Sequence, residues 1–272
     1  MPLEADDHQA LMGAVRVLEN PGLVVQLANI IGRPIEYGVK KLPRSISHRI
    51  DDTTHAALRT ALRVAVSTMS SQQAGQPWNA TYKLLATLSG AAGGAFGLPA
   101  LAIELPVSTT IMLRSIADIA RGEGEDIRAV DTQLACIEVF ALGSRSEADN
   151  STDTGYYTTR AALAHTLTEA AGFIAQRGLV EEGAPAIVRL ITRIAARFSV
   201  PVTEKFLVQS IPAIGAAGGG FVNLVFMNHF QDMARGHFAV RRLERKYGPQ
   251  VIRHEYDRIH RHGEESSGSR QP

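Results

Sequence analysis

The pair His254–Glu255 is the start of a zinc-hydrolase motif, H-E-x-x-H. That motif places two histidines four residues apart on one helix face, with a glutamate as the general base. Arg258 stands where the second histidine is required. The sequence therefore predicts no metal site here, and a polar surface helix accounts for these residues.

Other catalytic motifs are incomplete. A serine nucleophile elbow requires G-x-S-x-G after a strand, whereas Ser89–Gly90 lacks the upstream glycine. A phosphate-binding loop requires G-x-x-x-x-G-K-[ST] or G-x-G-x-x-G, and neither glycine cluster of this chain fits those patterns. From motifs alone we predict no catalytic residue, no metal and no cofactor.

Four polar residues occur in otherwise apolar surroundings: Glu104, Arg114, Asp118 and Asn223. If the segments that carry them pack together, these side chains converge on one polar pocket, in which Glu104 would be the candidate base. The alternative is a structural network of hydrogen bonds or ion pairs, because buried polar groups need partners.

Two glycine-rich segments nearly repeat each other, GAAGGAF at 90–96 and GAAGGGF at 215–221. Their candidate helix-crossing glycines are Gly90, Gly93, Gly94, Gly97, Gly215, Gly218, Gly219 and Gly220. Glycines four residues apart share a helix face, and small residues let two helix backbones approach closely. The segments therefore predict either a tight helix crossing inside a bundle or insertion into lipid.

The glycine segments lie in two runs without charged side chains, Leu84–Ile103 and Phe206–Gln231. About 20 helical residues cross a bilayer core. However, Pro99 interrupts the first run and Pro212 the second, and the mean hydropathy of the chain is −0.02. We favour mutual packing in a bundle and retain membrane insertion as the alternative.

Charge is distributed unevenly along the 272 residues, although the net charge is only +1. The balance is +4 over Arg33–Arg63, −6 over Asp118–Asp153 and +5 over Arg235–His262. This pattern indicates either complementary surfaces within the molecule or attraction of the basic segments to a polyanion such as anionic lipid.

Apolar residues recur at helical spacing along most of the chain, and strict alternation is scarce. We predict an all-α protein with a single helical-bundle domain, in which the two glycine-rich helical pseudo-repeats pack together. The expected organisation is a flexible N-terminus at 1–14, the helical domain at 15–262 and a disordered tail at 263–272.

Several longer motifs together resemble the EcsC family. The residues that carry the resemblance are RPIEYGVKKLP at 33–43, GAAGGAFGLP at 90–99, Glu104–Pro106, LRSIADIARGEGED at 113–126, YYTTR at 156–160, QSIPAIGAAGGGFVN ending at Asn223, and HFAVRRLERKYG at 237–248. The resemblance implies a helical bacterial protein, cytoplasmic or peripheral at the inner membrane, and it brings no established activity.

The first functional hypothesis is a non-enzymatic, membrane-associated accessory or interaction factor. Its basic segments, Arg33–Arg63 and Arg235–Arg261, would face an anionic membrane surface, or the protein would bind a membrane protein such as an ABC transporter. The alternatives are a hydrolase with a polar pocket near Glu104 and Asn223, and a soluble partner-binding adaptor. We expect no nucleic-acid partner and identify no small-molecule ligand.

Overall fold

The computed structural model describes residues 3–19, 42–68, 98–143, 155–177, 183–209 and 215–268. Its helices are α1 (Ala5–Leu18), α2 (Arg44–Thr68), α3 (Leu98–Gly122), α4 (Val130–Leu142), α5 (Gly155–Arg177), α6 (Pro185–Gln209), α7 (Gly215–Tyr247) and α8 (Pro249–Gly268). These ranges contain no strand, and the helices pack as one bundle. The predicted all-α bundle is confirmed.

Helix α4 lies at the centre of the bundle. Residues 132–142 are all buried, as expected for a helix that is apolar on every face. It packs against α2, α3, α5, α6 and α7. Its position therefore places Glu138, the one acidic residue of that buried stretch, in the interior.

Helix α7 is the longest described helix and connects the two ends of the molecule. Its 33 residues correspond to about 50 Å at 1.5 Å per residue, and it contacts α1, α3, α4, α6 and α8. Asn223 near its start binds Glu104 in α3, and Arg242 near its end binds Glu123 just after α3. Helices α3 and α7 therefore run in the same direction.

Four phenylalanines fill the space where α4, α6 and α7 meet. The rings of Phe140, Phe198, Phe226 and Phe230 pack with centroid separations of 4.9 to 6.1 Å in tilted or edge-on geometry. Such pairs add about 0.5–1.5 kcal/mol each beyond the area they bury. This cluster is the aromatic part of the core.

Helices are described at both chain ends. Residues 5–14, within the segment expected to be flexible, belong to α1, because Leu11 and Val15 are buried and α1 packs against α7 and α8. Gly236 of α7 allows this approach, since a Cβ there would lie 2.8 Å from Leu18 Cγ. At the other end, α8 continues to Gly268, within the segment expected to be disordered.

The glycine segments are described in part. Gly90, Gly93, Gly94 and Gly97 lie outside the described residues. Residues 215–220 form the first turns of α7, and Gly220 is buried. The second segment is therefore helical, as the sequence predicted, and its packing against the first segment stays a prediction.

Gly143, directly after α4, offers a test of core packing. A Cβ there would overlap the ring of Phe230 and lie 3.0 Å from His229 Nε2. We expect Gly143→Ala to lower the free energy of unfolding by about 1–3 kcal/mol through overpacking. Urea unfolding followed by circular dichroism measures this change.

The matched control is Gly172→Ala in α5. A Cβ at Gly172 would meet nothing within 4 Å, so alanine should raise stability by about 0.5–1 kcal/mol through helix propensity. Equal effects of the two substitutions would contradict the close contact at Gly143.

Candidate functional site

Glu104, Lys205 and Asn223 meet in the interior and join α3, α6 and α7. Lys205 Nζ donates to both carboxylate oxygens of Glu104 at 2.9 Å, and Asn223 Nδ2 donates to Glu104 Oε1 at 2.8 Å. The side chain of Lys205 is 0% exposed and that of Glu104 is 4% exposed. The ammonium also lies 5.0 Å from the ring centroid of Phe226. We call Glu104, Lys205 and Asn223 the buried charge cluster.

The cluster keeps Glu104 ionised. Burial by itself raises the pKa of Glu104, but the charge of Lys205 and hydrogen bonds from Lys205, Asn223 and Ser108 outweigh burial and hold that pKa below its ordinary value. Both carboxylate oxygens accept hydrogen bonds from Lys205. A carboxylate bound in this way is a poor general base, so the geometry does not favour the hydrolase alternative.

The sequence grouped four polar residues, and the structure brings two of them together. Glu104 and Asn223 are in contact, whereas Arg114 and Asp118 lie further along α3 by about 15 and 21 Å. Asp118 is buried and ion-paired with Arg121, and Arg114 is half-buried. The structure therefore brings Glu104 and Asn223 together and leaves Arg114 and Asp118 apart from them.

Lys205 is the member of the cluster that sequence reasoning missed as a site residue. Its signal was its position directly before the uncharged run Phe206–Gln231. A lysine at the edge of an apolar helix needs either water or a counter-charge. Its 0% exposure therefore requires a buried carboxylate, which Glu104 supplies.

Large apolar side chains are exposed beside the buried charge cluster. Ile103, next to Glu104, is 74% exposed, Val107 is 47% exposed and Phe221, two residues before Asn223, is 49% exposed. Ile103 and Val107 are four residues apart and share a helix face, while Leu101, Glu104, Leu105 and Ser108 turn inward. We call Ile103, Val107 and Phe221 the apolar end of the bundle.

Two prolines lie inside helices close to the buried charge cluster, Pro106 in α3 and Pro201 in α6. Each proline removes one intrahelical hydrogen bond and favours a bend. Pro106 follows Glu104 by two residues, and Pro201 precedes Lys205 by four. The ion pair therefore connects α3 and α6 close to the positions where each helix lacks one intrahelical backbone hydrogen bond.

The basic carboxyl half of α7 is neutralised by acidic residues of the same chain. The ion pairs are Arg241 with Glu125, Arg242 with Asp7 and Glu123, Arg245 with Glu125, and Lys246 with Glu4 and Asp7. Hydrogen bonds from Lys246, Tyr247 and Arg242 lower the pKa of Asp7 to about 2. The basic residues of α7 therefore pair with acidic residues at the start of α1 and of the segment after α3, so for these residues the uneven charge of the sequence reflects packing within the molecule.

A second buried polar group connects α4, α5 and α7. His237 Nδ1 lies 3.0 Å from the hydroxyl of Tyr156, and His237 Nε2 lies 3.9 Å from Glu138 Oε2. Burial raises the pKa of Glu138 to about 7, although the charges of Arg160 and Arg241 oppose this rise. Burial, together with the same two arginines, lowers the pKa of His237 well below its ordinary value. His237 is therefore neutral.

The described part of the chain shows no geometry that favours a metal site or a reactive cysteine. No group of three or more His, Cys, Asp or Glu side chains in the described ranges is arranged to hold a metal ion. Cys136 is buried in α4, and burial raises the pKa of its thiol. No described helix is both long and apolar enough to cross a membrane.

The fold and these contacts define an all-helical bundle whose interior holds the buried ion pair of Lys205 and Glu104. The sequence profile of the EcsC protein family matches residues 26–243. Because this match covers most of the 272 residues, the chain belongs to the EcsC family. No curated protein and no solved structure matches the chain.

Lys205→Met tests the buried charge cluster. Removing the ammonium leaves the Glu104 carboxylate buried without its counter-charge, which should lower the free energy of unfolding by about 3–5 kcal/mol. The double variant Lys205→Met/Glu104→Gln should recover most of the loss, because the amide oxygen can still accept from Asn223. Urea unfolding measures both variants.

Arg235→Met is the control for that experiment. Arg235 pairs with Asp232 on the exposed surface of α7, so its removal should change stability by less than about 1 kcal/mol. A loss of equal size in Lys205→Met and Arg235→Met would contradict the role assigned to burial.

Glu138→Gln tests the buried acid. The pKa of Glu138 is about 7 in the folded chain against an ordinary value of 4.5, so between these values the folded state keeps a proton that the unfolded state loses. Stability therefore falls as pH rises through this window, by about 3 kcal/mol in total for this group.

The measurement is urea unfolding of wild type and Glu138→Gln between about pH 5 and about pH 8. The free energy of unfolding of the variant should not show the fall that deprotonation of Glu138 causes in wild type. The variant should therefore be more stable than wild type, and the difference should be largest at the higher pH. Identical slopes for the two proteins would show that Glu138 does not titrate in this range.

Proposed function

We propose that this EcsC family protein is a non-enzymatic accessory factor that associates with membrane surfaces through the apolar end. The observation that carries the proposal is the exposure of Ile103, Val107 and Phe221 on one end of the bundle. Exposed large apolar side chains near one end of a folded domain suit contact with lipid or a protein partner.

The two uncharged runs of the sequence support the same location. The first run ends at Ile103, and the second contains Phe221. The neighbouring charges of Glu104 and Lys205 are buried and paired with each other, so the exposed apolar side chains would enter the acyl boundary of a bilayer with little desolvation cost. Full burial of a large apolar side chain contributes about 1.5–3 kcal/mol, so three such side chains provide reversible binding.

Charge plays a smaller part in this proposal than the sequence suggested. The basic residues of α7 are paired with carboxylates of the same chain. Arg44 and Arg49 are exposed on α2 and would add a weaker attraction to anionic lipid. Binding that depends on apolar contact should persist at salt concentrations that screen surface charges.

The apolar end would also be suited to binding a membrane protein, such as an ABC transporter. Lipid is preferred here because the exposed side chains adjoin runs that lack charged residues, whereas protein interfaces usually carry a polar rim. A protein partner is therefore an outcome of the experiment below rather than a second proposal.

Vesicle flotation tests the proposed membrane contact. The wild-type chain should float with vesicles of mixed zwitterionic and anionic lipid at both about 0.05 M and about 0.5 M salt. Ile103→Ser/Phe221→Ser should weaken binding by about tenfold or more, because each side chain loses its transfer free energy. Circular dichroism should show an unchanged helical fold, since both side chains are exposed.

The control is Val188→Ser/Val251→Ser, which removes exposed valines from α6 and α8 instead. This variant should float like wild type. Equal flotation of both double variants would contradict a role for the apolar end. If wild type does not float, the lipid proposal fails, and the apolar end is then to be tested against a membrane protein.

A further inference from the structure

A cleft of about 630 Å³ lies between α5 and α8, with α7 at one side. It is lined by Tyr157, Arg160, Ala161, Ala164, Glu244, Pro249, Gln250, Arg253, His254 and Asp257. Its volume is in the range of small-molecule sites, about 300–1,000 Å³. Glu244 lies about 35 Å along α7 from Phe221. The cleft and the apolar end are therefore separate surfaces.

One wall of the cleft is a fixed ion pair. Arg160 Nη1 and Nη2 donate to the two oxygens of Glu244 at 2.8 and 3.1 Å, and the hydroxyl of Tyr157 donates to Glu244 Oε1 at 3.1 Å. The bidentate contact compensates the charge of Glu244. This wall therefore contributes shape and an aromatic ring, and little net charge.

Arg253 supplies a positive charge to the lining of the cleft. Its guanidinium lies 5.4 Å from the ring centroid of Tyr157, which holds it by a cation–π contact. The side chain is exposed, and no ion pair found among the described residues includes it. Asp257, one turn later on α8, already takes part in an interaction of its own. Arg253 is thus a positioned cation whose charge is available to a ligand.

We propose that this cleft binds an organic oxyanion, that is, a carboxylate or a phosphate on a small apolar body. Arg253 pairs with the oxyanion, and His254 and Gln250 lie beside it on α8. Ala161, Ala164 and Pro249 form an apolar surface for the body of the ligand. A planar guanidinium held on an aromatic ring loses little conformational entropy when it binds an oxyanion.

Nuclear magnetic resonance titration of the full chain with phenyl phosphate tests the cleft. Amide shifts should concentrate around residues 157–164 and 249–254, and inorganic phosphate should bind more weakly because it lacks an apolar body. Arg253→Ala should weaken phenyl phosphate binding by about tenfold, the effect of losing a charge-assisted hydrogen bond. Arg261→Ala, on the same helix and outside the lining, should bind like wild type.

Two substitutions of Tyr157 test whether its ring positions the Arg253 guanidinium, since both leave the charge of Arg253 in place. Tyr157→Phe keeps the ring that supports Arg253 and should retain binding of phenyl phosphate. Tyr157→Ala removes that support and should weaken binding although Arg253 is still present. Equal affinity of Arg253→Ala and wild type, or equal affinity of both Tyr157 variants, would overturn the assignment.

The oxyanion can belong to a free molecule or to a lipid headgroup, and vesicles of phosphatidic acid distinguish these sources. Reduced flotation of Arg253→Ala on such vesicles, together with reduced phenyl phosphate binding, assigns a headgroup. Unchanged flotation with reduced phenyl phosphate binding assigns a free molecule. Ile103→Ser/Phe221→Ser should bind phenyl phosphate like wild type, so failure of the membrane proposal and failure of this one are distinguishable.

Discussion

A charged side chain can leave water only if an opposite charge and hydrogen bonds accompany it, and this constraint sets how the helices of this bundle face each other. Lys205 is fully buried because Glu104 is beside it, and this pair joins α3 to α6. Arg160 and Glu244, whose side chains are 22% and 12% exposed, form a partly buried pair that joins α5 to α7. Since a buried charge without its partner is strongly destabilising, the Lys205–Glu104 pair opposes packings of α3 and α6 that would separate these two residues.

The length of α7 separates the functional surfaces that we infer. Its first turns adjoin the apolar end, its middle contributes Phe226 and Phe230 to the aromatic core, and its last turns carry Glu244 at the cleft. One helix with a packed middle keeps the two surfaces at a constant distance. A protein built in this way can contact a membrane at one end while the other end stays open to solvent.

Helical periodicity was sufficient to predict the all-α bundle, because each amphipathic stripe is a local pattern. Polar residues in apolar surroundings selected Glu104 and Asn223, but the same signal also selected Arg114 and Asp118. It did not select Lys205 as the partner of Glu104, because that contact joins residues 101 positions apart. Residues 1–14 were expected to be flexible, because the sequence alone does not reveal that α7 offers Gly236 as a contact surface for Leu18.

Tyr157, Arg160 and Glu244 of the cleft lie in motifs that the sequence analysis quoted, but no local rule pairs Arg160 with Glu244 across 84 positions. Long-range pairs of this kind depend on the whole topology and cannot be read from spacing.

The single cysteine of the chain has a practical consequence. Cys136 is buried in the central helix, and its raised pKa keeps the thiol protonated. An alkylating reagent needs an accessible thiolate, so it does not react with Cys136 while the bundle is closed. Because the chain has one cysteine, each labelled molecule records one opening of α4. The rate at which Cys136 is alkylated therefore reports how often the bundle opens at α4.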